Sequence, residues 1–141
     1  MMINISEISK NPKKVKAYLL SHGWKKIEHT LFHLSNISDN TIIHCDNEKI
    51  YALSYIIYLD DHAMLHMFEV NKAYEHIGYG KKAMIEIAKK VKSMGYDEIR
   101  LSSIDINSNG FYEHMGFKSK KPYRYYANVN DIINHDNKLN I

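Results

Sequence analysis

The chain has 141 residues, 45% hydrophobic and 25% charged, with a formal net charge of +3. That is length for one domain with a real core, and too mild a basic excess to argue nucleic acid by itself. The single cysteine, Cys45, excludes an internal disulfide and any multi-cysteine metal site. The opening "MMINISEISKNPKK" has no apolar h-region, and no apolar run approaches the roughly 20 residues of a membrane span. A cytoplasmic protein with no membrane partner is the expectation.

Taken in order, "PKKVKAYLLSH" (residues 12–22) reads as a short helix. Pro12 suits its first turn, Val15, Tyr18, Leu19 and His22 share one face, and Gly23 can stop it. From Trp24 the period changes. "KKIEHTLFHL" and "TIIHC" look like strands separated by the turn-rich "SNISDN", and "KIYALSYIIYL" is the strongest strand. "DDH" turns it back into "AMLHMFEV", so residues 25–70 read as an antiparallel meander. An amphipathic helix follows, with Met84, Ile87, Ala88 and Val91 as its apolar stripe and Gly95 as its stop. "DEIRLSSI" is a strand, "SNGFYEHMG" a short helix ended by Gly116, and "FKS" and "YRYYANV" a last pair of strands.

This order predicts an α+β (mixed α/β) fold. An antiparallel N-terminal meander leads into a β-α-β crossover, which is almost always right-handed. The expected domain is residues 1–128, and the tail at 129–141 has no strong pattern and is expected to fray.

The chemistry points to "YEHIGYGKKAM", residues 74–84. A helix start leaves about four backbone N–H groups unpaired and carries partial positive charge. Glycines at Gly78 and Gly80 let an anion reach those groups. Lys81 and Lys82 stand where the dipole alone prefers acids, which makes sense with a bound anion. A phosphate-binding P-loop fails, because Gly78 and Gly80 are too close together. The dinucleotide pattern G-x-G-x-x-G/A fits literally as Gly78, Gly80 and Ala83, with Asp105 ending the next strand. Its context is wrong: in that fold the strand runs almost directly into the first glycine, and the unit belongs to alternating strands and helices.

The stretch "FEVNKAYEHIGYGKKAMIEIAKKVKSMGYDEIRLSSIDINSNGFYEHMGF" resembles the core of the GCN5-related N-acetyltransferase (GNAT) superfamily. The turn Glu75-His76-Ile77-Gly78-Tyr79-Gly80 is similar to that family's Q/R-x-x-G-x-G/A turn, and "FYEHMGF" to its tyrosine helix with a GF ending. Glu75 departs from the pattern, which usually has Gln or Arg there. The resemblance implies a GNAT-like central mixed sheet whose two parallel strands splay, and acetyl-CoA as co-substrate. It places the pyrophosphate on the amides of residues 76–81, including His76, Ile77, Gly78, Tyr79, Gly80 and Lys81, with Glu75 beside them. It places the pantetheine arm along Phe68 to Val70 and near Asn107, with Asn109 the alternative. The Val70 N–H becomes the oxyanion donor.

By the same resemblance Tyr112 is the proton donor to the departing thiolate, a reasonable role for a phenol beside a thiol. Glu69 is the candidate base. Strand alternation puts it on one face with Leu65 and Met67, which favours a partly desolvated carboxylate. The implied reaction is direct acetyl transfer to a primary amine in a ternary complex. The acceptor is a small molecule, a peptide or an aminoacyl-tRNA, so nucleic acid enters only as its carrier. A homodimer is common in the family. A non-catalytic acyl-CoA-binding module on the same fold, or a nucleotide-binding protein, stays open as an alternative. No metal is expected: His62 and His66, like His29 and His33, sit four apart on strands and turns, where that spacing does not aim both rings at one ion.

Overall fold

The computed structural model describes residues 2–4, 40–46, 49–71, 77–103 and 106–135. The helix expected at 12–22 and the strand expected at 25–34 lie outside these residues. Among the described residues there are seven strands: β1 (Met2–Asn4), β2 (Thr41–Asp46), β3 (Lys49–Tyr58), β4 (Ala63–Val70), β5 (Glu98–Ser102), β6 (Lys118–Lys121) and β7 (Arg124–Asn128). Their hydrogen-bonded order is β1-β2-β3-β4-β5-β7-β6. The described helices are α1 (Tyr79–Ser93), α2 (Ile106–His114) and α3 (Val129–Ile133). The β1–β2 and β2–β3 pairs are antiparallel, and β4 pairs β5 in parallel across α1. This is the mixed α+β class that the sequence implies.

The chain divides into two compact units, residues 1–55 with 67–80, and residues 56–66 with 81–141. In the first, β3 is buried on both faces: Ile50, Tyr51, Ala52, Leu53 and Ser54 are all fully covered. A strand so enclosed reads as a near-continuous apolar run, which is how "IYALS" stands in the sequence. Its one polar member is satisfied, Ser54 Oγ lying 2.8 Å from the Nε2 of the buried His44. Strand β1 pairs with β2 through Met2↔His44, Ile3↔Ile43 and Asn4↔Ile42. Three residues give no readable period, and this strand exists only because β2 offers it an edge.

In the second unit the β3–β4 turn closes where Leu59 N donates to His62 O at 3.0 Å, at the "DDH" turn. His62 Nδ1 lies 2.6 Å from Asp61 Oδ1. That hydrogen bond, with the charges of His62 and Arg100 nearby, holds the Asp61 carboxyl below the usual carboxylate range. The stripe read from the sequence is the buried face of α1, Met84, Ile87, Ala88 and Val91, joined by Ala83 and Ile85. Helix α1 ends as a Schellman motif: Gly95 N donates to Lys92 O and Tyr96 N to Val91 O, with Gly95 at φ +92. On β5, Ile99 and Leu101 point inward while Arg100 and Ser102 are exposed, the period of a half-buried strand. All five β5 residues pair antiparallel with β7, whereas the registered parallel pairs with β4 are Ala63↔Ile99 and Met64↔Arg100. Residues 129–133, which carry no strong sequence pattern, form α3. The side chain of Asn128 caps it by accepting from Asn130 N at 2.8 Å, Val129 N donates to Asp97 O, and Val129 and Ile132 are buried.

Tyr58 sets a testable feature of this unit. Its hydroxyl is buried without a hydrogen-bond partner, and its ring lies 5.3 Å from that of Tyr96. Burial, then the neighbouring Tyr96, pushes its ionisation up from 10.0 to about 12. A folded value above the unfolded one means that the associated stability is complete below pH 10 and lost as pH rises through about 12. Tyr58→Phe removes an unsatisfied buried group, so denaturant titration at neutral pH should show a gain of about 1 kcal/mol. The same variant should lose less stability than the parent on going from pH 9 to pH 11.

Candidate active site

Strand β4 runs to Val70, with Met67 buried and Phe68, Glu69 and Val70 half-buried. Glu69 thus lies on the face of Leu65 and Met67, both buried, as alternation requires. Pairing with β3 continues one residue beyond the strand, where Asn71 N donates to Tyr51 O at 2.9 Å. The chain therefore leaves β4 from a fixed point. Glu75 and His76 lie outside the described residues.

The glycine turn resumes at Ile77, which is 63% exposed. Gly78 follows at φ +91, a conformation that glycine adopts at no steric cost. Apart from its chain neighbours, no atom of the described residues lies within 4 Å of where its Cβ would be, so the turn opens onto space among them. Tyr79 begins α1, and its ring packs 4.9 Å from that of the fully buried Tyr51. That contact ties the helix start to β3 and is invisible in the sequence: two tyrosines 28 positions apart carry no local signal. Gly80 and Lys81 are half-buried and Lys82 is exposed. No acidic residue stands in the first turn of this 15-residue helix. A helix start, a left-handed glycine and open space beside it fit a phosphate-bearing ligand such as the diphosphate of CoA.

In the other unit Tyr112 lies on α2, is 8% exposed and sits among aromatic rings. Phe111, Phe117 and Tyr125 lie at 5.4, 5.7 and 5.8 Å from it. The ending that follows is a second Schellman motif: Gly116 N donates to Glu113 O, Phe117 N donates to Tyr112 O, and Gly116 has φ +102. The "GF" spacing thereby gains a physical reason. Gly116 reverses the chain so that Phe117 folds back edge-on against Tyr112 and fixes its ring.

Asn107 is the second residue of α2, and Asn109 stands three positions before Tyr112 on the same helix face. Asn109 Oδ1 is buried and has no hydrogen-bond partner. A buried amide oxygen left so has a reason to meet a ligand donor, and the sequence could not rank it above Asn107. His66 is exposed, and among the described residues no group of three His, Cys, Asp or Glu side chains is placed to hold a metal. No described helix is long and apolar enough to cross a membrane.

The acetyltransferase (GNAT) family model matches residues 11–117. No curated protein matches the chain. Among solved structures, a GNAT-family acetyltransferase from Staphylococcus aureus Mu50 is 24% identical, with 92% of this chain and 98% of that one covered at a TM-score of 0.67. Ard1 from Thermoplasma volcanium is 12% identical over 92% of this chain and 97% of that one, at 0.66. The PaiA N-acetyltransferase of Thermoplasma acidophilum, solved in complex with coenzyme A, is 18% identical over 89% and 83%, at 0.58. The chain belongs to the acetyltransferase (GNAT) family, whose acetyl donor is acetyl-CoA.

Proposed function

We propose that this chain, as one catalytic domain over residues 1–128 working in the cytoplasm, transfers acetyl from acetyl-CoA to a primary amine within a ternary complex. The observation that carries the reading is a pair of glycine-set devices in the family's chain order. Gly78 at φ +91 opens the head of α1, and Gly116 at φ +102 fixes the ring of Tyr112. When bound, acetyl-CoA supplies the activated thioester.

The amides of residues 76–81, with Lys81, hold the diphosphate. Backbone groups of Phe68 and Val70 hold the pantetheine arm, and Asn107 or Asn109 steadies it; the unpartnered Oδ1 favours Asn109. The Val70 N–H donates to the oxyanion as it develops. Glu69 takes a proton from the acceptor, directly or through water, because an ammonium has no lone pair for attack. Tyr112 donates its phenolic proton to the departing sulfur.

Glu69→Gln should lower kcat by about 100-fold and abolish the low-pH limb of the rate profile, with CoA affinity unchanged. Free-thiol release across an amine panel reads this out. An unaltered profile removes Glu69 as the base. A chain that binds CoA yet releases no thiol with small amines, peptides or aminoacyl-RNA would instead be an acyl-CoA-binding module, the alternative that Glu75 and the choice of base keep open.

A further inference from the structure

The β6–β7 hairpin is a basic exposed surface. Lys118, Lys120 and Lys121 lie on the edge strand β6, and Arg124 opens β7. All four are exposed, none is ion-paired, and no Asp or Glu occurs between Phe117 and Asn130. The four charges exceed the net +3 of the whole chain, so the remainder is on balance slightly acidic. No acidic neighbour within the hairpin offsets this charge.

Aromatic rings interleave with it. Lys120 Nζ lies 5.4 Å from the ring centre of Tyr126, and Tyr123 at the turn apex is 53% exposed. Tyr123 has φ 66. Pro followed by a positive-φ residue is the pattern of a type II turn, where Gly or Asn fits without strain and a bulky ring does not. Lysines on an edge strand also discourage edge-to-edge pairing. That role requires neither Arg124 on the inner strand nor a strained tyrosine held in solvent.

We propose that this hairpin binds single-stranded nucleic acid. Lys118 and Lys120 stand on β6, whose register with β7 shifts between Lys118 and Lys121, and their charges suit the phosphates of a single strand. Tyr123 gives an unstacked base a platform, and Arg124 adds charge beside it. An acidic peptide would use the cations but leave the exposed ring without a role. Tyr125, between Arg124 and Tyr126, packs on Tyr112. That ring is buried on the other face of β7, and binding at the hairpin does not rest on the proposed function.

Fluorescence anisotropy of the full chain with labelled oligouridylate and oligodeoxythymidylate, each about ten nucleotides long, tests this. Between about 50 and 200 mM salt, log K should fall against log salt with a slope of about −2 to −3. The double variant Lys118→Glu, Lys120→Glu should bind at least about tenfold more weakly with a shallower slope. Tyr123→Asn should weaken binding roughly fivefold or more with the slope unchanged, while its thermal midpoint holds or rises. RNA and DNA arms that differ would identify which strand is preferred, within the proposal. No binding at low salt, an unaffected double variant, or competition by CoA would overturn it. So would equal binding of polyglutamate or of phosphatidylserine vesicles with Tyr123→Asn indifferent, which would make the hairpin a general polyanion or membrane surface.

Discussion

Tyr112→Phe is expected to lower kcat by about 100-fold or more while leaving CoA affinity nearly unchanged. The substitution removes one hydroxyl and keeps the ring. The packing against Phe111, Phe117 and Tyr125 is made by the ring, and the Phe117 N to Tyr112 O hydrogen bond is made by backbone. Neither changes, so the local packing of the ring should be kept. A thiolate that leaves without a proton donor costs the transition state and not the bound ground state, which is why kcat and kcat/KM should fall together with KM little altered. Thiol-release kinetics with calorimetric CoA titration separates the two. Loss of CoA affinity in parallel with rate would make Tyr112 a packing residue, and an unchanged kcat would remove it from the reaction.

Gly78→Ala should weaken CoA binding by about tenfold or more and leave kcat at saturation close to the parent value. Two costs must be told apart. A Cβ at φ +91 strains the backbone by roughly 1–2 kcal/mol wherever it occurs. Only at Gly78 would it also enter the space beside the helix amides. Gly95 supplies the control, for it has φ +92, nothing within 4 Å of its Cβ position, and stands at the opposite end of α1. Gly95→Ala should show the same loss of thermal stability without the loss of affinity. Equal affinity losses in both variants would assign the effect to strain and empty the turn of its role.

What was legible in the sequence was local. "AMLHMFEV" is β4 to the residue, because alternation and a turn at "DDH" bound it. The stripe of α1 was readable because 3.6-residue spacing survives any packing partner. Gly95 and Gly116 stop their helices because a Schellman ending needs a left-handed residue. The features that escaped are those that only distant chain supplies. β1 depends on β2 some forty residues away. The Tyr51–Tyr79 contact that seats α1 joins two segments whose own patterns are complete without it. α3 rests on the Asn128 cap and the Asp97 carbonyl more than on any period. In the candidate site, the placement of Gly78 and the half-buried face position of Glu69 followed from spacing. The choice between Asn107 and Asn109 did not, since an orphaned amide oxygen is visible only in three dimensions.

The most direct test is a thermal-shift comparison of CoA, acetyl-CoA, NAD and ATP with the full chain. A ligand present at about a hundred times its Kd stabilises by about 2.7 kcal/mol, which for a chain of this size raises the midpoint by roughly 5 °C or more. CoA and acetyl-CoA should produce that rise and NAD and ATP should not. A rise with NAD or ATP and none with CoA would contradict the proposed role of the Gly78 turn and the chemistry built upon it.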